Sequence, residues 1–176
     1  SNSGRVIYSN GSNHSLNLSS SQFDYCGDVF VNSPNSSLNI NSSKFNFGSE
    51  VSGINIISDN DTLIMSHTMI MDGADDAIYL TGSGGLCSIK NSVIARNNGY
   101  GIYSPNLLTE IDYSTIFSNT GRGVEGYGGL SYLRNSIVTM NNNSYTSSSN
   151  QTGVELFYSV TEGNAQFADD DGHLEV

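Results

Sequence analysis

One short phrase recurs along this chain at nearly constant intervals, and this recurrence limits the folds that the chain can adopt. Each copy has an apolar-alternating run, a polar pair that ends in Ser or Thr, and a second apolar-alternating run, as in Cys87-Ser-Ile-Lys-Asn-Ser-Val-Ile94. The hydroxyl residue that ends each pair, here called the anchor, occurs at Ser21, Ser43, Thr68, Ser92, Ser114, Ser136 and Ser159. Successive anchors are 22, 25, 24, 22, 22 and 23 residues apart. A period of this length is typical of solenoid proteins.

Apolar residues keep fixed offsets from the anchor. Three positions before it stand Leu18, Ile40, Met65, Ile89, Ile111, Leu133 and Leu156. Two positions after it stand Phe23, Phe45, Ile70, Ile94, Ile116 and Val138, with Thr161 as the exception. A third short apolar run follows most anchors, often opened by Gly, as in Gly101-Ile102. Alternation with period two indicates strands, and crossovers between parallel strands are right-handed in almost all proteins. The sequence therefore predicts an all-β fold, a right-handed parallel β-helix of about seven coils of 22–25 residues with three short strands per coil.

Two phrases from the regular middle of the chain resemble a known repeat. They are Asn91-Ser-Val-Ile-Ala-Arg-Asn-Asn-Gly-Tyr-Gly-Ile-Tyr103 and Ser114-Thr-Ile-Phe-Ser-Asn-Thr-Gly-Arg-Gly-Val124. Both are similar to the generic repeat of right-handed parallel β-helix proteins in the pectate-lyase-like superfamily, and segment 158–174 resembles the closing coil of secreted bacterial members. The resemblance covers nearly the whole chain and implies a secreted or cell-surface location. Because this superfamily includes lyases, hydrolases, epimerases, phage tailspikes and adhesins, the fold alone does not decide the function.

The charge balance narrows the partners. The chain has 17 Asp and Glu against 6 Lys and Arg, for a formal charge of −11. Such a surface repels nucleic acid and anionic membranes, and we expect neither as a partner. A neutral polysaccharide, or an acidic one bridged by a cation, remains compatible with this charge. No apolar run is long enough to cross a bilayer, so we expect no membrane insertion.

The chain is expected to form one β-helix domain over 1–176, as part of a longer protein. Segment Arg5-Val-Ile-Tyr-Ser-Asn10 matches the third strand of a coil without its first two strands. Segment 140–153 is almost entirely polar, and we predict a loop insertion there in place of a third strand. Cys26 and Cys87 lie about three coils apart, which is too far for a disulfide. Two free thiols are therefore expected, with Cys87 facing inward.

The outward positions of the third strands form the first candidate ligand site. This column is predicted to contain Ile7, Phe30, Asn55, Tyr79, Tyr103 and Glu125. Aromatic rings on adjacent coils, flanked by carboxylates and amides, suit pyranose rings with apolar C–H faces and polar rims. We therefore predict sugar binding by Tyr79, Tyr103, Phe30 and Glu125. Favourable cross-strand packing accounts for the two tyrosines equally well.

An acidic segment, Asp72-Gly-Ala-Asp-Asp76, precedes one of the third strands. Carboxylates are the oxygen ligands that Ca²⁺ prefers. Asp72, Asp75 and Asp76 are therefore candidate ligands of a Ca²⁺ ion, the one cofactor with which the sequence is compatible. The same residues are also typical of a polar turn before a strand, and this simpler interpretation remains open.

Evidence for catalysis in the sequence is weak. The Asp75-Asp76 pair resembles the paired Asp of the polygalacturonase branch, but the Asn-Thr-Asp, Gly-His-Gly and Arg-Ile-Lys phrases of that branch do not occur. A lyase would need a basic residue opposite a carboxylate cage, and Arg96 and Arg122 are expected on another face. We therefore predict an extracellular or surface-associated module that binds polysaccharide without catalysis. The alternatives are a polysaccharide lyase or glycoside hydrolase of the same superfamily, and a structural stalk such as an adhesin passenger.

A second surface is marked by apolar residues where outward positions are expected. These residues follow the anchor by one or three positions and include Met69, Met71, Val93, Phe117 and Ile137. A strand that is apolar on both faces is normally covered on both faces. We therefore predict an interface here, formed by self-association or by packing against another part of the parent chain.

Overall fold

The computed structural model of the chain is built from three parallel β-sheets that wind around one apolar interior. It describes residues 5–48, 52–126, 131–147, 154–157, 159–161, 167–168 and 174–175, with side chains up to residue 142 and at 159–160. Strands β1 to β23 follow one another in chain order. Each coil contributes one strand to each sheet in turn, which gives sheets of 7, 8 and 8 strands.

The three sheets are named A, B and C. Sheet A contains β1 (Ile7–Asn10), β4 (Val29–Asn32), β7 (Ile54–Ile56), β10 (Ile78–Leu80), β13 (Ile102–Tyr103), β16 (Arg122–Gly126) and β19 (Asn143–Ser147). Sheet B contains β2 (Ser15–Ser19), β5 (Ser37–Asn41), β8 (Thr62–Ser66), β11 (Leu86–Lys90), β14 (Leu108–Asp112), β17 (Ser131–Arg134), β20 (Val154–Phe157) and β22 (Phe167–Ala168). Sheet C contains β3 (Gln22–Asp24), β6 (Lys44–Asn46), β9 (Met69–Met71), β12 (Val93–Ala95), β15 (Thr115–Phe117), β18 (Ile137–Thr139), β21 (Val160–Thr161) and β23 (Leu174–Glu175).

The register between neighbouring coils follows the repeat in the sequence. Ile89 pairs with Met65 of the preceding coil and with Ile111 of the next, all three being three positions before an anchor. The positions two after the anchor pair in the same way. The predicted all-β parallel β-helix with three strands per coil is therefore confirmed. Within the described residues, no helix has the length and hydropathy needed to span a bilayer.

The interior is filled by three columns of stacked apolar side chains. The buried members are Ile40, Met65, Ile89, Ile111 and Leu133 before the anchors, Phe45, Ile70, Ile94, Ile116 and Val138 after them, and Val29, Ile54, Ile78, Ile102 and Val124 on sheet A. Burial of each such side chain stabilises the fold by about 1.5–3 kcal/mol. Cys87 is buried in this interior and Cys26 is half-buried, and both thiols are free, as predicted.

The corner between sheets B and C is held by a ladder of anchor hydroxyls. The backbone N–H of Ser92 donates to Oγ of Ser114 at 3.2 Å, and that hydroxyl donates to the carbonyl of Asp112 at 2.8 Å. The same pair of bonds recurs along this corner from Ser21 to Ser136, whose N–H in turn donates to Oγ of Ser159. The residue before each of the first six anchors has a left-handed backbone with φ between 48° and 51°, namely Ser20, Ser42, His67, Asn91, Tyr113 and Asn135. This conformation is unfavourable for most residues other than Gly and, to a lesser degree, Asn and Asp; here it precedes an anchor whose N–H and hydroxyl are both hydrogen-bonded.

A second ladder, of asparagine amides, lies where sheet C turns toward sheet A. Nδ2 of Asn97 donates to Oδ1 of Asn119, and Nδ2 of Asn119 donates to Oδ1 of Asn141, each at 2.9 Å. The same oxygens accept the backbone N–H groups of Asn97 and Asn119. Each amide thus satisfies buried backbone groups of the turn while it links one coil to the next.

Two details of the predicted organisation are wrong. Ile7 pairs with Val29 and packs against the interior, so that Tyr8 pairs with Phe30 on the outward column. No anchor precedes this strand, and burial of Ile7 therefore decides its register. The predicted loop 140–153 also contains a strand, β19, which pairs with β16. An open parallel edge favours strand pairing even for a polar segment; residues 148–153 lie outside the described part.

Candidate functional site

A groove opens at the corner where sheet C turns into sheet A. It has a volume of about 360 Å³. Residues of four successive coils line it: Asp75, Asp76, Asn98, Gly99, Tyr100, Thr120, Gly121, Arg122 and Asn142. Since coils stack about 4.8 Å apart, the groove follows the solenoid axis for roughly 14 Å.

Two glycines form the floor of this groove. A Cβ atom on Gly121 would lie 2.7 Å from the carbonyl carbon of Gly99. A Cβ atom on Gly99 would lie 2.6 Å from the backbone nitrogen of Asp76 and 2.7 Å from the carbonyl carbon of Asp75. Only glycine therefore allows successive turns to stack this closely, and the missing side chains leave a concave strip of backbone.

One wall of the groove carries the charged and aromatic side chains. Asp76, Tyr100 and Arg122 occupy equivalent positions in three successive coils. The backbone N–H after Asp76 donates to the carbonyl of Tyr100, and the backbone N–H after Tyr100 donates to the carbonyl of Arg122. The other wall is neutral and polar, and there Oγ1 of Thr120 donates to Oδ1 of Asn98 at 3.2 Å. The groove thus offers carboxylates, a guanidinium, an aromatic ring, a hydroxyl and amides to one ligand.

Asp76 has the most perturbed carboxyl group of this groove. Its pKa is raised from 3.8 to about 6, chiefly by burial and also by the negative charge of Asp75, although a hydrogen bond from the backbone N–H of Tyr100 opposes the rise. That bond, to Oδ1, is 2.6 Å long. A carboxyl group with such a pKa can hold or release a proton near neutral pH.

Arg122 is fixed by Glu125, the last residue of the predicted sugar-binding set. The guanidinium Nη1 atom lies 2.5 Å from Oε2 of Glu125, whose side chain is fully buried. Glu125 is therefore placed to hold Arg122 in the groove rather than to face solvent. The expectation that both arginines lie on another face is wrong, because Arg122 lines the groove and Arg96 pairs with Asp72.

The predicted tyrosine pair is present and extends to a third ring. Tyr79 and Tyr103 stack with their centroids 5.1 Å apart and their planes 9° from parallel. Tyr100 stacks on Tyr103 at 5.6 Å, so it belongs both to the groove and to this tyrosine stack. Burial raises the pKa of the Tyr103 hydroxyl, as do its tyrosine and carboxylate neighbours. The three half-buried rings place an aromatic surface directly beside the groove.

Phe30 does not join this stack. It lies two coils before Tyr79 in sheet A, with Asn55 between them. Its ring stacks on Tyr8 at a centroid distance of 5.9 Å, and the guanidinium carbon of Arg5 lies 3.7 Å from its centroid. The four residues predicted to bind sugar are therefore divided between the groove region and a separate aromatic cluster.

The three acids predicted to bind Ca²⁺ are also divided. Asp72 accepts hydrogen bonds of 2.8 and 2.9 Å from the guanidinium of Arg96, whereas Asp75 and Asp76 line the groove. Among the residues that the structure describes, no group of three or more His, Cys, Asp or Glu side chains is arranged to hold a metal ion. The geometry thus does not gather Asp72, Asp75 and Asp76 into one cation site.

No protein-family model, curated protein or solved structure matches the chain. The parallel β-helix fold therefore rests on the structure itself. The relation to the pectate-lyase-like superfamily remains a resemblance of the repeat, and the site must be interpreted from its own geometry.

The apolar residues predicted to form an interface share the outer face of sheet C. Val93 pairs with Met69, and Ala95 pairs with Met71 on one side and with Phe117 on the other. Most of these side chains are half-buried, while Ile137 is 43 % exposed. The residues thus lie together on one surface. That this surface is an interface, with a second copy or with another part of the parent chain, stays a prediction.

The sequence contains a signal for Tyr100 and Arg122 that the fixed offsets from the anchor do not capture. Each residue stands between two glycines, in Gly99-Tyr-Gly101 and Gly121-Arg-Gly123, at the same place in successive coils. Glycine on both sides indicates a turn where backbones approach closely. The side chain between the glycines is then a candidate for exposure in a groove.

Proposed function

We propose that this chain is a β-helix module that binds polysaccharide in the groove and along the tyrosine stack. The observation that carries the proposal is the position of Tyr100, which lines the groove and stacks on Tyr103. An aromatic surface and converging hydrogen-bonding groups are thereby continuous, as a sugar with apolar faces and polar rims requires.

The shape of the groove favours an extended polymer. It is open and follows the axis across four coils, so successive sugar units would meet equivalent positions of successive coils. Asn98, Thr120 and Asn142 offer amides and a hydroxyl along one wall, and such groups bond sugar hydroxyls as donors or acceptors. A secreted or cell-surface location, which the repeat resemblance implies, agrees with a ligand of this kind.

A glycan array, probed with and without Ca²⁺, tests the proposal. We expect binding to at least one polysaccharide, and we expect Tyr100→Ala to weaken it at least tenfold through the lost aromatic surface. Tyr113→Ala is the matched control, because Tyr113 is 64 % exposed on the corner between sheets B and C, away from the groove. An array without hits, or equal losses in both variants, would contradict the proposal; a silent array would favour the structural stalk.

A second candidate is carbohydrate cleavage in the same groove. It is favoured by the combination of Asp76, whose pKa is about 6, with Asp75 and the nearby Arg122. Acid–base catalysis needs a carboxyl group that exchanges its proton near the working pH, and glycoside hydrolysis needs two carboxylates. Analysis of each array hit for new reducing or unsaturated ends separates the two candidates. Products that Asp76→Asn abolishes would replace the binding module by an enzyme.

A further inference from the structure

The charges of the groove indicate which sugars it takes, provided that it binds polysaccharide as proposed above. Its one guanidinium, Arg122, lies 2.5 Å from the buried carboxylate of Glu125. Because the two opposite charges are so close together, the pair adds no net charge to the groove beyond direct contact with the guanidinium. The ionised carboxylates of Asp75 and Asp76 then give the groove a net negative charge.

Asp75 is the more accessible of these two acids. Its side chain is exposed, and within the described residues it forms neither a side-chain hydrogen bond nor an ion pair. Asp76 is half-buried beside it, with Oδ1 bonded to the backbone of Tyr100. Two adjacent carboxylates repel each other, so a cationic group that enters the groove relieves this repulsion and gains charge-assisted hydrogen bonds.

We propose that the groove selects glycans that carry free amino groups. An ammonium group supplies three donors and a positive charge to Asp75 and Asp76, while the sugar ring contacts Tyr100 and its hydroxyls bond the neutral wall. N-acetylation removes that charge, and a uronate replaces it by one of the wrong sign. The formal charge of −11 further favours cationic over anionic polymers near the surface.

The aromatic and neutral parts of the groove favour an amino sugar over a basic peptide. Tyr100 and the stacked Tyr103 provide a flat apolar surface, and the opposite wall provides Asn98 and Thr120. The hydroxyl groups and ring oxygens of an amino-sugar polymer can bond these uncharged groups, whereas a lysine side chain offers them only methylenes. The carboxylates thus select the amine, and the remaining residues select the sugar.

Calorimetric titrations at about pH 6.5 and low salt test this inference, since amines and most carboxylates are then charged. The probes are a glucosamine oligomer, an N-acetylglucosamine oligomer of the same length, a galacturonate oligomer and a lysine oligomer. We expect the glucosamine oligomer to bind at least tenfold more tightly than the other three. Asp75→Asn and Asp76→Asn should each weaken its binding about tenfold. Asp24→Asn, the same change at an exposed position of sheet C, should leave it unchanged.

The outcomes separate the two proposals. Equal affinity for the glucosamine and N-acetylglucosamine oligomers would overturn amine selection and leave polysaccharide binding intact. Tighter binding of galacturonate, or lysine binding equal to glucosamine binding, would also overturn it. Failure of all three sugar oligomers to bind would overturn amine selection, whereas polysaccharide binding itself is overturned only if the glycan array is also without hits. Because Asp75 is exposed, Asp75→Asn keeps the test valid even if Asp76→Asn fails to fold.

Discussion

Oδ1 of Asp76 accepts a 2.6 Å hydrogen bond from the backbone N–H of Tyr100, which belongs to the next coil. The carboxyl group is therefore connected to the backbone of the residue that joins the groove to the tyrosine stack. The bond favours the ionised form of Asp76, but burial and the charge of Asp75 outweigh it. The chemistry of the groove is consequently sensitive to how closely the two coils are stacked.

The raised pKa of Asp76 predicts a specific dependence of stability on pH. The pKa is about 6 in the folded chain, against an ordinary value of 3.8. The folded state therefore holds this proton more tightly, and the resulting stability is fully present below about pH 4 and lost as the pH rises through 6. We expect Asp76→Asn to raise the melting temperature relative to the parent chain at pH 7 more than at pH 4. A difference that stays constant across this range, or that Asp24→Asn reproduces, would contradict the prediction.

Stacking at the groove floor depends on Gly121. Substitution by Ala would bring a Cβ atom to 2.7 Å from the backbone of Gly99, so the two turns must separate. We expect Gly121→Ala to lower the free energy of unfolding by about 1–3 kcal/mol, the usual cost of overpacking. Thr120→Ala, at the exposed neighbouring position, should cost under about 1 kcal/mol. Equal effects in urea titrations of the two variants would show that the close approach is not the cause.

The amide ladder predicts a strong difference between two asparagines. Asn119 is buried and bonds both Asn97 and Asn141, whereas Asn106 is exposed. Removal of the Asn119 side chain leaves buried backbone and amide groups without partners, and each such group costs about 1–3 kcal/mol. We expect Asn119→Ala to destabilise the chain by at least that amount in thermal unfolding. Asn106→Ala should change stability by under about 0.5 kcal/mol, and similar losses in both would refute the role of the ladder.

The outer face of sheet C predicts an effect on association. Ile137 is 43 % exposed on this apolar face, and Ile64 is 44 % exposed on the outer face of sheet B. If sheet C packs against a second copy, a buried charge there opposes association. We expect Ile137→Asp to lower the sedimentation coefficient of the associated protein, with Ile64→Asp as the control. If the unsubstituted chain sediments as a monomer, this face does not bind a second copy, and the prediction of self-association is wrong.

Periodicity made the architecture predictable. The position of Ile89 recurs in every coil with the same surroundings. The offsets from the anchor therefore determine the sheets, the register and the interior together. Offsets from the anchor are not defined for a strand that no anchor precedes. Ile7 precedes the first anchor, and its register is decided by burial, which a single unaligned strand does not reveal.

The site was less predictable because it lies on turns. Glu125 was expected to be exposed because it occupies an outward position of a strand. Its carboxylate is instead buried and forms an ion pair with Arg122. Arg122 follows an anchor by eight residues and is the first residue of β16, so the geometry of the turn before this strand decides which face it reaches. Tyr79 and Tyr103, on strands, were placed correctly, whereas Tyr100, on a turn, was not identified.

The hydroxyl ladder has a consequence for the growth of such a protein. Ser92, Ser114 and Ser136 are each 22 residues apart and make identical contacts with their neighbours. Removal of one whole 22-residue unit between equivalent positions would therefore bring together two coils with complementary surfaces, since each anchor bonds the next anchor in the same way. Duplication or deletion can thus change the length of this molecule in whole coils without changing its cross-section, and a step among the coils that line the groove would lengthen or shorten the groove by one coil.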